Sequence, residues 1–175
     1  PRSMECRYEI IDSLGKGGVS EVFRARNLDT GREVAIKRLL PLDETNLNEP
    51  QVEGILRETQ ALKQLRHSNV VRLIDSGEDE FGPFAVLELI EGESLYDVIL
   101  EGALTYPDFL DVATQVLSAL AAAEDIRLLH RDLKPGNIML TVNEASRLEA
   151  KILDFGMSKL LDRPSLQTVD LKGSI

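Results

Sequence analysis

Gly15-Lys16-Gly17-Gly18-Val19-Ser20-Glu21-Val22 opens an ordered series of short motifs. It continues through Val34-Ala35-Ile36-Lys37 and His130-Arg131-Asp132-Leu133-Lys134-Pro135-Gly136-Asn137 to Asp154-Phe155-Gly156. The glycine run lies between two strand patterns, Tyr8-Glu9-Ile10-Ile11 and Glu21-Val22-Phe23-Arg24-Ala25. Glycines in such a place let the backbone approach a phosphate chain and offer its N–H groups without side chains in the way. Alone, the same run also reads as a plain hairpin turn. It is not a Walker loop, because no Gly-Lys-Ser/Thr follows to open a helix. It is not a dinucleotide fingerprint either, because a strand follows it.

Outward from these motifs, Asp29-Thr30-Gly31 is a turn signal before a strand at 33–39. The chain is polar and irregular over 41–49, and a helix is expected from about Pro50, with Ile55, Thr59, Leu62 and Leu65 at helical spacing. Strands are expected at 70–75 and 84–90, separated by a turn-rich stretch at 77–83. Beyond Gly92 the pattern changes. Phe109, Val112, Ala113, Val116, Leu117, Leu120 and Ala121 recur three and four apart, which predicts a long amphipathic helix over 107–125. A hairpin of 138–142 and 150–153 then surrounds the last motifs. A strand-rich half is thus followed by a helical half, with a junction near 88–94.

The charge balance is 20 Lys and Arg against 30 Asp and Glu, a net −10. This argues against a general nucleic-acid surface, which needs clustered cations to displace counterions. It suits basic peptide partners, and equally a solvated acidic surface. One cysteine permits no intrachain disulfide, and one cysteine with two histidines is too few for a zinc cluster. No apolar run approaches the ~18–20 residues of a membrane span, and no signal-peptide pattern opens the chain. The expectation is a soluble cytoplasmic chain, with residues 1–7 a tail in which Pro1-Arg2-Ser3 before Met4 looks vector-derived.

Taken together, in this order and at these spacings, the motifs resemble the eukaryotic-type (Hanks-type) serine/threonine protein kinases, from about Tyr8 to Ile175. Gly136 is shared with bacterial members, and Ser20 stands where the family has a third glycine. The resemblance implies an α+β, bilobal fold. An antiparallel β-sheet N-lobe with one main helix would occupy 8–90, and the incomplete first part of a helical C-lobe would occupy 91–175. It implies ATP and Mg2+ as cofactors and a protein Ser or Thr hydroxyl as acceptor.

Residue by residue, the resemblance implies that Lys37 pairs with the α- and β-phosphates and with Glu58, Glu53 being the other register. Otherwise Lys37 reads as a snorkelling surface lysine. Asp132 would orient the acceptor hydroxyl, Lys134 would steady the transferring group, and Asn137 and Asp154 would hold magnesium. Gly15, Gly17 and Gly18 would cover the phosphates. Leu14, Val22, Ala35, Leu87, Met139 and Leu153 would sandwich adenine, with backbone groups of Glu88 and Ile90 bonding it; by default these apolar positions are plain core. Leu62, Leu73, His130 and Phe155 would stack between the lobes. Arg131 would dock a phosphorylated activation segment, with Thr168 as the phosphosite between Ser165 and Ser174.

No Ala-Pro-Glu motif follows Gly173-Ser174 within the 175 residues. The apolar face of the long helix would then meet water, which leads to an expectation of a homodimer or segment exchange. Two rival readings stand beside the kinase: a non-catalytic nucleotide-binding or dimerising fragment, and a small-molecule phosphotransferase, which also uses an Asp and Asn five apart.

Overall fold

The computed structural model describes residues 7–16, 20–39, 62–79 and 81–155. The first half forms β1 (Tyr8–Lys16), β2 (Ser20–Asn27), β3 (Glu33–Leu39), β4 (Leu73–Asp79) and β5 (Gly82–Glu88). These strands make one antiparallel sheet in the order β1-β2-β3-β5-β4. The turn between β2 and β3 is set by Asn27, whose Oδ1 accepts from the N–H groups of Asp29 and Thr30, and by Gly31 at φ 69°.

Side chains alternate across β3. Val34 and Ile36 join Tyr8, Ala25, Phe84 and Val86 in one apolar cluster. Ile36 and Val86 are fully buried there, each worth about 1.5–3 kcal/mol. Ala35 and Lys37 are left on the other face. At the far end of the sheet Arg38 grips Asp79 through two guanidinium contacts of 2.5 and 2.7 Å, with the rings of Phe81 and Phe84 against the cation.

The second half contains β6 (Glu93–Ser94), α1 (Leu95–Glu101), α2 (Tyr106–Asp125), a short 3-10 turn (Pro135–Asn137), β7 (Ile138–Val142) and β8 (Leu148–Ile152). Its sheet runs β6-β7-β8. Both helices begin with a hydroxyl cap: Ser94 accepts from the N–H of Asp97, and Thr105 from that of Asp108. Gly92 is required by close approach, since a Cβ there would lie 2.2 Å from the Leu140 carbonyl oxygen. The two sheets meet at a parallel bridge between Val70 and Ile152.

The structure corrects the sequence reading in several places. β4 starts at Leu73 rather than at residue 70, and Val70 serves the bridge instead. Pairing then runs through Gly77↔Phe84 to Asp79↔Gly82, so residues expected in a turn continue the ladder. The ring of Phe84 lies over Gly77, where a Cβ would come within 2.9 Å of it, so the small residue permits pairing where it suggested a break. β8 begins at Leu148 and stops at Ile152, two residues earlier and one residue sooner than expected.

α2 buries Val112, Ala119 and Ala123, while Phe109 and Leu117 are 54% and 66% exposed. Its apolar residues are spread too widely for one contact face. β8 selects the stripe at 112, 116, 119 and 123, and the opposite apolar side is uncovered. α1 was not anticipated. The helix expected from Pro50, with Glu53 and Glu58, lies outside the described residues apart from its end at 62–64.

The Arg38 hydrogen bond holds the Asp79 carboxyl below its ordinary value, with the Phe81 N–H adding to the effect and burial opposing it. The unfolded chain therefore takes up this proton first as pH falls. The contribution of the pair is complete above pH about 4 and is lost as pH drops through the folded value. Urea midpoints should fall between about pH 5 and pH 3, and Asp79→Asn should remove part of that slope. An unchanged slope in the variant would mean the pair does not titrate with folding.

Candidate active site

A cavity of about 590 Å³ lies where the two sheets face each other. The face of the first sheet that carries Ala35 and Lys37 forms its roof. Register explains the grouping: Gly15 pairs with Val22, Val22 with Lys37, and Ala35 with Leu87. Leu14 and Gly15 on β1, Val22, Ala35, Lys37, Leu87, Glu88 and Ile90 line it from above, and Met139 and Leu153 from below, beside Asp154. These are the positions expected from the sequence, apart from Gly17 and Gly18, which lie outside the described residues. Arg24, Val71, Leu89, Glu91 and Gly92 also line the cavity and were missed. Arg24 was legible, because it is two residues after Val22 on the same strand and so shares its face.

Lys37 is 4% exposed, and its Nζ lies 2.7 Å from Asp154 Oδ1. A buried ammonium needs such a partner, because an unpaired one would carry the full desolvation cost. Glu58, expected to hold Lys37, lies outside the described residues. Asp154 takes φ 58°, a left-handed backbone that an aspartate tolerates better than most residues. That conformation turns the chain after Leu153, whose N–H donates to the Asn137 carbonyl.

The loop before β7 is organised by its own side chains. Lys134 Nζ donates to Asp132 Oδ2 at 2.7 Å. Asn137 Nδ2 donates to the Asp132 carbonyl at 2.8 Å and reaches Oδ2 at 3.3 Å. The Asp132 N–H donates to His130 Nδ1, and His130 Nε2 donates to the Leu153 carbonyl at 2.7 Å, which assigns the Nε2-protonated tautomer. The Lys134 hydrogen bond is the main cause holding the Asp132 carboxyl below its ordinary range; partial burial works against it. Asp132 is thus held in its anionic form, able to accept a hydrogen bond from a hydroxyl.

The chemistry of the donors fits a hard cation. With its amide nitrogen directed to Asp132, Asn137 has its Oδ1 to offer, and its backbone is hydrogen-bonded to the residue before Asp154. One amide oxygen and one carboxylate are donors of the kind magnesium takes when phosphates and water complete its shell.

Beneath this loop, His130 meets Phe155 edge to face with ring centroids 4.8 Å apart. Leu62, Leu73 and Phe155 belong to one buried cluster with Val71, Leu87 and Ile152. Arg131 takes φ 65°; Ser165, Thr168 and Ser174 lie outside the described residues.

The protein kinase domain family matches residues 8–173. The chain belongs to the protein kinase family. Among its relatives, it is 34% identical to the serine/threonine-protein kinase pkn2 of Myxococcus xanthus, over 98% of this chain and 20% of that protein. It is 38% identical to PksC of Streptomyces coelicolor, over 85% of this chain and 27% of that one. With PrkC of Bacillus subtilis the identity is 33%, over 97% and 26%. The kinase fold is seen directly in Rad53 residues 1–466 in complex with AMP-PNP, with TM-score 0.73 and 29% identity over 86% of this chain and 38% of that chain. The bilobal kinase fold is therefore present in incomplete form, and the chain spans 20% to 27% of the length of these three bacterial kinases. Among the described residues, no helix is long and apolar enough to cross a membrane.

His130 joins the loop at Asp132, the Leu153 carbonyl and Phe155, so His130→Ala should lower stability by about 2–4 kcal/mol. Urea unfolding measures this, and a loss below about 1 kcal/mol would show that the ring is not structural.

Proposed function

We propose that the cavity binds Mg-ATP and that the chain transfers the γ-phosphoryl group to a Ser or Thr hydroxyl of a protein. The observation that supports this most directly is the Lys37–Asp154 pair inside the cavity, with the hydrogen-bonded set Asp132, Lys134 and Asn137 on the loop beside it. In this reading residues 8–90 form the nucleotide-covering lobe and 91–175 the first part of the other.

Lys37 exchanges its carboxylate partner for the α- and β-phosphates. Asp132 accepts the acceptor hydroxyl's hydrogen and aligns its oxygen, and Lys134 places positive charge beside the group in transit. Magnesium held by Asn137 and Asp154 would neutralise charge on the phosphates. Ala35, Leu87, Met139 and Leu153 exclude water from the base, and main-chain groups of Glu88 and Ile90 orient it.

A second reading, a nucleotide-binding or dimerising fragment without transfer, draws on the uncovered apolar side of α2, including Phe109 and Leu117, together with exposed Leu129.

Calorimetric titration of the chain with ATP and magnesium should show saturable binding, at least about tenfold weaker in Asp154→Asn. Asp132→Asn should keep that binding while transfer to a generic basic protein falls about 10²–10⁴-fold. Absence of binding to a folded chain would sink the nucleotide site. Binding without transfer would establish the second reading, and phosphorylation of an amine or sugar instead of protein would point to a small-molecule phosphotransferase.

A further inference from the structure

A second cavity, of about 290 Å³, also reaches Glu88. Its lining includes three cationic residues, Arg66, Arg72 and Lys151, and one acidic residue, Glu88. In a chain of net charge −10, three cations converging from a loop, the approach to β4, and β8 run against the average composition. Glu88 shows what the cavity accepts: its Oε1 takes hydrogen bonds from Lys151 Nζ at 2.9 Å and from the Arg72 N–H at 3.0 Å. Arg66 and Arg72 are exposed residues, and among the described residues neither forms an ion pair.

The loop is held in place before any ligand arrives. His67 Nδ1 accepts from the Asn69 N–H at 3.1 Å, and its Nε2 meets Ser118 Oγ on α2 at 3.1 Å. Asn69 Nδ2 donates to Gln115 Oε1 at 2.8 Å. A rigid loop spares much of the ordering cost of binding.

We propose that this cavity is a phosphomonoester site, in which Arg66 and Arg72 take the phosphate oxygens beside the Lys151–Glu88 pair. Charge decides for a dianion. Glu88 already answers one cation, so a monoanionic carboxylate would leave positive charge in excess, whereas a phosphate balances the remaining pair and matches the arginine forks. The phosphate is either free or carried on a phosphorylated side chain. Because the site shares no cation with the cavity assigned to ATP, it stands or falls separately from that assignment.

The test is calorimetric titration of the whole chain with inorganic phosphate, with a phosphothreonine peptide and with the same peptide unphosphorylated. These are repeated on R66Q/R72Q, whose side chains are exposed and outside the nucleotide cavity. The expected result is saturable binding of a phosphate-bearing probe, no binding of the unphosphorylated peptide, and at least about tenfold weakening in the double variant, with ATP binding unchanged. Tighter binding of the phosphopeptide than of free phosphate identifies a phosphorylated chain as the source, and equal affinity identifies the free ion. No saturable binding of either probe, or binding that the double variant leaves intact, overturns the proposal.

Discussion

Ile152 holds the molecule together at one point. Its carbonyl accepts from the Val71 N–H and its own N–H donates to the Asn69 carbonyl, both at 2.9 Å, so the segment entering β4 is stitched to β8. The same junction recruits α2. Gln115 Oε1 accepts from Asn69 Nδ2 and the Ala150 N–H, and its Nε2 donates to the Leu148 carbonyl. Asn69 is 8% exposed, so each of these groups would cost about 1–3 kcal/mol if left without a partner. Two sheets and a helix therefore share one network, and breaking any member strands the rest.

The position of the chemistry follows from that junction. Leu153 and Asp154 come directly after Ile152, and the left-handed turn at Asp154 brings its carboxylate to Lys37 on the other sheet. Such backbones cost of order 1–3 kcal/mol and persist only where surroundings over-determine them. Here His130 supplies the restraint. It holds the Leu153 carbonyl with one nitrogen and the Asp132 N–H with the other, while Phe155 abuts its ring. One imidazole thus fixes two carboxylates, Asp132 and Asp154, that stand far apart in sequence.

Much of this was legible in the chain. The alternation in Val34-Ala35-Ile36-Lys37 separates core from cavity, and the long helix appeared within one residue of its observed start. What stayed hidden depends on tertiary choice. Apolar residues surround enough of α2 that only β8 decides which stripe is buried, and periodicity alone did not separate Val112 and Ala119 from the exposed Phe109 and Leu117. Gly77 and Asp79 carry turn preferences that pairing with β5 overrides. The short α1 buries no residue fully and offers only the Ser94 and Asp97 cap as a signal. The Asp154 partner of Lys37 could not be read from spacing, because it arises from a chain reversal more than a hundred residues later.

Charge in the site is arranged as exchangeable pairs. Lys37 is matched to Asp154 and Lys134 to Asp132, each at 2.7 Å. A ligand bearing only negative charge would capture the lysines and leave both carboxylates unpaired, one of them beside a buried wall. A polyphosphate that brings its own divalent cation offers the opposite sign to both members of a pair, so Lys37 and Asp154 can separate without either losing a counter-charge. The Lys134–Asp132 pair is about half exposed at each side chain, so water screens its separation, and little would be lost if Asp132 turned to a hydroxyl. In the proposed reading, the buried pair would favour a nucleotide that carries a metal ion, and the exposed pair would leave the acceptor side free to move.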